Sequence, residues 1–146
     1  MTAVSSGVFP VHNHVFEIGA DAENLNSIAN LETANVTFDN GVEEWHPFEG
    51  EGWVSRLLTS KSVTAEFSGK RTIGDTGQEF VVAKKMVTGQ LANGVLKWTF
   101  PSGSTLVIPG VISVTNDGGG DSTNVAPLEF SVMSNGKPTF TPASNG

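Results

Sequence analysis

The sequence predicts a mainly β domain carrying one helix, and three stretches carry that prediction. "SVTAEFSG", residues 62–69, alternates Val63, Ala65 and Phe67 with Ser62, Thr64, Glu66 and Ser68, the period of a strand with one buried face. "GDTGQEFVVAKKMVTG", residues 74–89, changes to helical spacing, with Phe80, Ala83 and Val87 on one side and Val82 and Met86 beside them. "GVLKWTFPSGSTLVIPGVISV", residues 94–114, sets two apolar runs around "PSGS", where proline fixes its own backbone angle and glycine tolerates positive ones.

Taken in chain order, the first 60 residues are the least regular. A short alternation at Ala34, Val36 and Phe38 leads to an Asn40-Gly41 turn signal, and then Trp45, Phe48 and Trp53 stand among Glu43, Glu44, Glu49 and Glu51. Rings of that size in a glycine- and glutamate-rich loop lack neighbours for a core. They either fold back as a lid or wait for a partner's surface. After the strand at 62–69, the helix is expected over about 75 to 88. Asp75 is its N-cap, Gln78 completes a capping box, and Gly89 is the left-handed residue that closes it. Gly77 and the two β-branched valines are its weak points. In the hairpin that follows, Pro109 and Gly110 interrupt the second strand, which points to an edge position or a bulge. The last strand, "APLEFSVMS", places Leu128, Phe130 and Val132 on one side, and Asn135-Gly136 turns the chain toward "KPTFTP". No internal repeat and no long linker divides the chain, so one domain is expected over 1–146.

Composition narrows the function. The chain has 146 residues and no cysteine, which excludes thiolate zinc sites, thiol catalysis and disulfide frameworks. No stretch approaches the roughly 20 apolar residues that cross a bilayer, and the N-terminus lacks a basic start and an apolar core. A soluble protein made in a cytoplasm, without a membrane partner, is therefore expected. The net charge is -7, and it is uneven: residues 1 to 60 carry nine acidic side chains and one basic, residues 61 to 146 six acidic and seven basic. An acidic surface repels phosphate backbones, which argues against tight nucleic-acid binding.

The candidate sites are weak as chemistry. His12 and His14 lie two apart, which on a strand would aim both rings the same way, but no third ligand is tied to them by spacing. "TNDGGGDSTN", residues 115–124, lacks the Gly-Lys-Ser/Thr ending of a phosphate loop and the alternating oxygens and final glutamate of a calcium loop. It fits a connection between two strands. No G-x-S-x-G turn is present and all three histidines lie in the first third, so no catalytic residue, metal or cofactor is assigned.

Several of these stretches together resemble the major tail protein of phages, the subunit of the tail tube. They are "VEEWHPFEGEGWVSRLLTSKSVTAEFSGKRTIGDTGQEFVV", "FPSGSTL" and "GGGDSTNVAPLEFSVMSNGKPTFTP", which span residues 42 to 142 with gaps. The resemblance implies a two-sheet β-sandwich with one flanking α-helix, related to the tubes of contractile tails and of type VI secretion. It implies six subunits to a ring, stacked rings, sheets from neighbouring subunits lining a channel through which DNA passes without specific binding, and a long loop that reaches an adjacent ring. The partners implied are further copies of the chain and other tail proteins, such as the tape measure and the tail terminator, and the location is the virion tail.

By position, the assembly loop is expected at about 40–62. Trp45, Phe48, Trp53 and Arg56 are the expected ring-stacking contacts, with Arg56 pairing a carboxylate of the neighbour. Glu32, Asp39, Glu43 and Glu44 are the acidic candidates for the channel. A different class remains open on the residues alone, a carbohydrate-binding or adhesion sandwich that uses exposed tryptophans as platforms.

Overall fold

The computed structural model describes residues 6–143; residues 1–5, on which the expectation for the N-terminus partly rests, and 144–146 lie outside them. The described chain forms eight strands: β1 (Val15–Gly19), β2 (Leu25–Ser27), β3 (Leu31–Trp45), β4 (Ser55–Lys70), β5 (Asn93–Thr99), β6 (Thr105–Asp117), β7 (Pro127–Ser134) and β8 (Thr139–Thr141). One α-helix, α1 (Thr76–Val82), lies between β4 and β5. The strands run in the order β2-β1-β5-β6-β7-β4-β3, with β8 against β6, and every pairing is antiparallel.

Strand β6 turns this one hydrogen-bonded sheet into two layers. Residues 93–99 of β5 pair with 105–111 of β6, whereas β7 pairs with 110–117, so β6 leaves one layer and enters the other along its own length. The layers face each other. Phe16 of β1 meets Phe67 of β4 edge-on with ring centroids 5.0 Å apart, although three strands separate β1 from β4 in the sheet. Between the layers lie Ile18, Leu96 and Ile108 from one side and Val63, Ala65, Phe67, Ile112, Leu128, Phe130 and Val132 from the other. The inward residues expected of the two clearest strands are all buried.

Pro109 and Gly110 sit at the handover, not at an edge. The Pro109 carbonyl accepts from Asn135 N at 2.8 Å, and the position of its missing N–H faces the same side. On that side β8 reaches only Val107 and β7 begins only at Gly110, so no ladder hydrogen bond is lost. A Cβ on Gly110 would stand 2.6 Å from the Met133 carbonyl oxygen, so a side chain cannot occupy the corner.

The helix is shorter than expected. It ends at Val82, and the contacts Lys84 N to Val81 O and Lys85 N to Val82 O already tighten the chain into turns. Val81 and Val82 are buried and β-branched, so packing against the sheet replaces further helical turns. Gly89 does adopt a positive φ of 67°, but it opens a 3-10 turn (Gly89–Ala92). Asp75 caps as expected: its Oδ2 accepts from Gln78 N and from Ala29 N, each at 3.1 Å. The Gln78 side chain does not return to Asp75. It is fully buried, accepts from Thr72 N at 2.6 Å, and donates to Ala29 O at 2.7 Å and Lys70 O at 2.9 Å.

The adjacent Arg71 ties three elements together. Its Nε donates to Asp117 Oδ1 at 2.6 Å at the end of β6, its Nη2 to Glu79 Oε1 on α1 at 3.0 Å, and its Nη1 to Thr72 O and Gln78 Oε1. Lys85 Nζ reaches the other oxygen of Asp117 at 2.7 Å. The stretch "SGKRTIGD" is thus a joint between the sheet and the helix.

Candidate assembly surfaces

β7 covers β4 only over Thr64–Lys70, and from Val63 outward β3 and β4 pair with each other alone. The segment at 40–62 is therefore a two-stranded ribbon, not the loop expected of it. Its ladder continues to Trp45 opposite Ser55, and the tip is confined to 46–54, with a 3-10 turn (Phe48–Gly50) and positive φ at Glu51 and Gly52. Asn40-Gly41 makes no turn: Gly41 pairs with Ser60 inside β3, because the long cross-strand ladder outweighs a two-residue local preference. At about 3.4 Å per residue, the ribbon from Phe38 to Trp45 projects roughly 25 Å.

One extra residue in β4, Thr59, makes a bulge between Gly41 and Val42. Beyond it the alternation in β4 shifts, so Val42 and Leu58 share one face while Trp45 and Leu57 lie on the other. Each face of the arm thus carries two exposed large apolar side chains, set beside Glu44 and Arg56 on the first and Glu43 on the second. At the tip Phe48 is 103% and Trp53 79% exposed. A two-stranded ribbon without a covered face is marginal by itself in water. The Arg56 side chain pairs within this arm, its Nε donating to Glu44 Oε1 at 2.9 Å across the ladder.

The four acidic candidates do not share a face. Glu32 occupies the bulge at the start of β3 and pairs with Lys70 at 2.9 Å, and Glu44 lies on the Arg56 side of the arm. Asp39 and Glu43 project from the opposite face of β3, the outer face of the layer. Two carboxylates not among the candidates join that face, Glu66 on β4 and Glu129 on β7, for Asn35 pairs with Glu66 and Ser68 with Glu129. Around them stand Thr33, Thr37, Ser62, Thr64 and Ser131; the cation in step with this face, Lys70 at the end of β4, is held by Glu32 at 2.9 Å. The alternation in "SVTAEFSG" and "APLEFSVMS" already turns Glu66 and Glu129 outward; what the sequence lacks is the adjacency of β4 and β7.

Where the arm leaves the sheet, a groove of about 810 Å³ opens between the uncovered edge of β4 and the segment before β8. Phe38, Leu58, Leu106 and Phe140 give it an apolar lining, and Lys61 and Lys137 stand at it. Ser134 Oγ accepts from Val63 N at 2.9 Å, satisfying the first donor that β7 no longer covers.

The remaining candidates are structural. His12 lies in a 3-10 turn (Val11–Asn13) and His14 follows it, so the two do not form the expected strand pair; His14 Nδ1 accepts from Trp98 Nε1 at 2.9 Å. The glycine run connects β6 to β7. Asn116 closes its first turn by accepting from Gly119 N at 2.8 Å and donating to Gly119 O at 3.0 Å. Among the described residues no three histidine, aspartate or glutamate side chains gather as metal ligands, and no helix is long and apolar enough to cross a membrane.

The chain resembles three solved structures. It matches a chain in the tail of an empty gene transfer agent particle, refined with helical C6 symmetry, at 18% identity and a TM-score of 0.71, covering 92% of this chain and 99% of that one. The virion of a native gene transfer agent particle matches at 18% identity and a TM-score of 0.66, with the same 92% and 99% covered. The cap that terminates the tube of the anti-feeding prophage matches at 12% identity and a TM-score of 0.59, covering 98% and 97%. The fold of this chain, mainly β with one α-helix, is thus similar to that of these tail, virion and tube-cap chains. No protein-family model matches the chain, and no curated protein matches it in sequence.

Proposed function

We propose that the chain is a structural subunit of a phage tail tube, closing into six-membered rings that stack around a channel for DNA. The observation that carries this reading is the arm: a ribbon of roughly 25 Å, with exposed apolar side chains on both faces, on a fold shared with a chain from a tail of C6 symmetry. Edge strands and bulky rings left uncovered in one copy are an aggregation hazard unless other copies cover them.

In this reading Trp45, Phe48 and Trp53 anchor one ring on the next, and Arg56 keeps Glu44 or exchanges it for a carboxylate of the neighbour. The outer face of β3, β4 and β7 lines the channel, where Asp39 and Glu43, joined by Glu66 and Glu129, repel passing DNA. The role is mechanical and calls for no catalysis. Tape-measure and terminator proteins would meet the inside and the end of such a tube, and its place is the virion tail.

Sedimentation of the purified chain over a rising concentration series, with negative-stain images of the heaviest fractions, tests this reading. Hollow cylinders support it, and a chain that sediments as a monomer throughout contradicts it.

A further inference from the structure

We propose that the groove at the base of the arm is the receptor for the arm tip of a second copy. The inference rests on the tube reading and names the surface the tip would occupy. The two surfaces match in chemistry. The tip offers Phe48 and Trp53 together with Glu49 and Glu51, and the groove offers Phe38, Leu58, Leu106 and Phe140 together with Lys61 and Lys137, two cations against the single carboxylate Asp39.

The charges in the groove are available. Arg56, Lys70, Arg71 and Lys85 each hold a carboxylate, whereas Lys61 reaches only the neutral Asn40 Oδ1 at 3.2 Å, and Lys137 makes no ion pair among the described residues. Two of the four cations outside ion pairs therefore stand at one apolar groove, opposite in sign to the tip. The backbone adds a second match. From Val63 outward one edge of β4 has no strand beside it, so the incoming segment can also bond to main-chain groups.

Geometry sets what such a contact builds. Tip and groove lie at opposite ends of one arm, so a copy cannot fill its own groove. The contact is heterologous and repeats in one direction, as stacking requires. A tip without a groove to enter stays solvated, and each added ring presents a fresh set of grooves or tips to the next.

The chain has no cysteine, so a cross-link reports directly. His46→Cys at the tip, combined with Pro138→Cys at the groove, is expected to give a ladder of disulfide-linked multimers when assembled protein is oxidised. A link within one copy is excluded, because disulfide partners need Cα atoms within about 7 Å. Charge reversal gives an independent test. Lys61→Glu with Lys137→Glu, or Glu49→Lys with Glu51→Lys, should each raise the concentration needed for assembly about tenfold or more, and mixing the two variants should restore it. The substitutions are at exposed positions, so thermal melting should stay unchanged. If the native chain forms tubes while the cysteine pair yields no ladder, or while the groove-reversed chain assembles as the native one does, the groove is not the receptor. If the native chain forms no tubes, the tube reading itself fails.

Discussion

Arg71 Nε donates to Asp117 Oδ1 at 2.6 Å, and this bond joins the end of β4 to the end of β6 beneath the helix. The side chains are only 10% and 17% exposed, so solvent screens the pair weakly. Arg71→Ala would leave Asp117 with Lys85 alone and remove the donors to Glu79 and Gln78. The expected loss is about 2–3 kcal/mol, as for hydrogen bonds to charged groups. At roughly 2–4 °C per kcal/mol, melting should fall by about 4–12 °C, measured by circular dichroism. The same pair sets a pH dependence. Lys85 first, then Arg71, hold the Asp117 carboxyl below its ordinary value, against the opposing effect of burial. Its contribution is therefore complete above the unfolded carboxylate value of about 3.9 and is lost as pH falls through the lower folded value. Asp117→Asn should flatten that acid limb of a stability profile and lower stability near neutrality.

The corner in β6 depends on the absence of a side chain at Gly110. Alanine there would set a methyl group 2.6 Å from the Met133 carbonyl oxygen and 2.9 Å from Val132 Cγ1. Backbone cannot yield as a flexible side chain does, so a loss of about 1–3 kcal/mol is expected, measured by denaturant unfolding. Gly136→Ala is the control with no neighbour within 4 Å, although its φ of 106° adds backbone strain of its own. A Gly110→Ala protein as stable as the native chain would contradict the account of the corner.

Phe48 and Trp53 touch little in the isolated chain, so truncating them should separate folding from assembly. Phe48→Ala and Trp53→Ala are expected to change monomer stability by no more than about 0.5 kcal/mol. Assembly should be lost or should need much higher concentration. Melting and sedimentation on the same samples measure both, and tubes of normal length and stability from Trp53→Ala would count against the anchoring role.

The outer acidic face separates two accounts of the charge. Glu66→Lys with Glu129→Lys places cations among Asp39 and Glu43, and DNA release from assembled particles should slow. Glu32→Lys, which instead breaks the pair with Lys70 at the end of that face and leaves Glu66 and Glu129 in place, should slow release less. Equal rates for all three proteins would remove the channel assignment.

The sequence made the strands legible wherever burial is one-sided. Val63, Ala65 and Phe67, and likewise Leu128, Phe130 and Val132, alternate because one face meets the core, and Asp75 caps its helix through contacts within a few residues. Features set by distant partners were not legible. Asn40-Gly41 has the local form of a turn, but pairing with residues some twenty positions away holds it extended. Gln78 has the spacing of a capping box, but Ala29 and Lys70 take its amide. The aromatic rings at the tip were recognisable as lacking a core, since nothing near them in sequence could cover them. Which carboxylates share a face was hidden, because it depends on β4 lying beside β7 and on two bulges in the β3–β4 ladder.

The central claim is that copies of the chain complete the arm. Cryo-electron microscopy of concentrated native protein tests it most directly. The account predicts hollow tubes of six-membered rings in which residues 38–63 of each subunit cross to the next ring. Isolated subunits at every concentration, or tubes in which the arm touches only its own subunit, would contradict it.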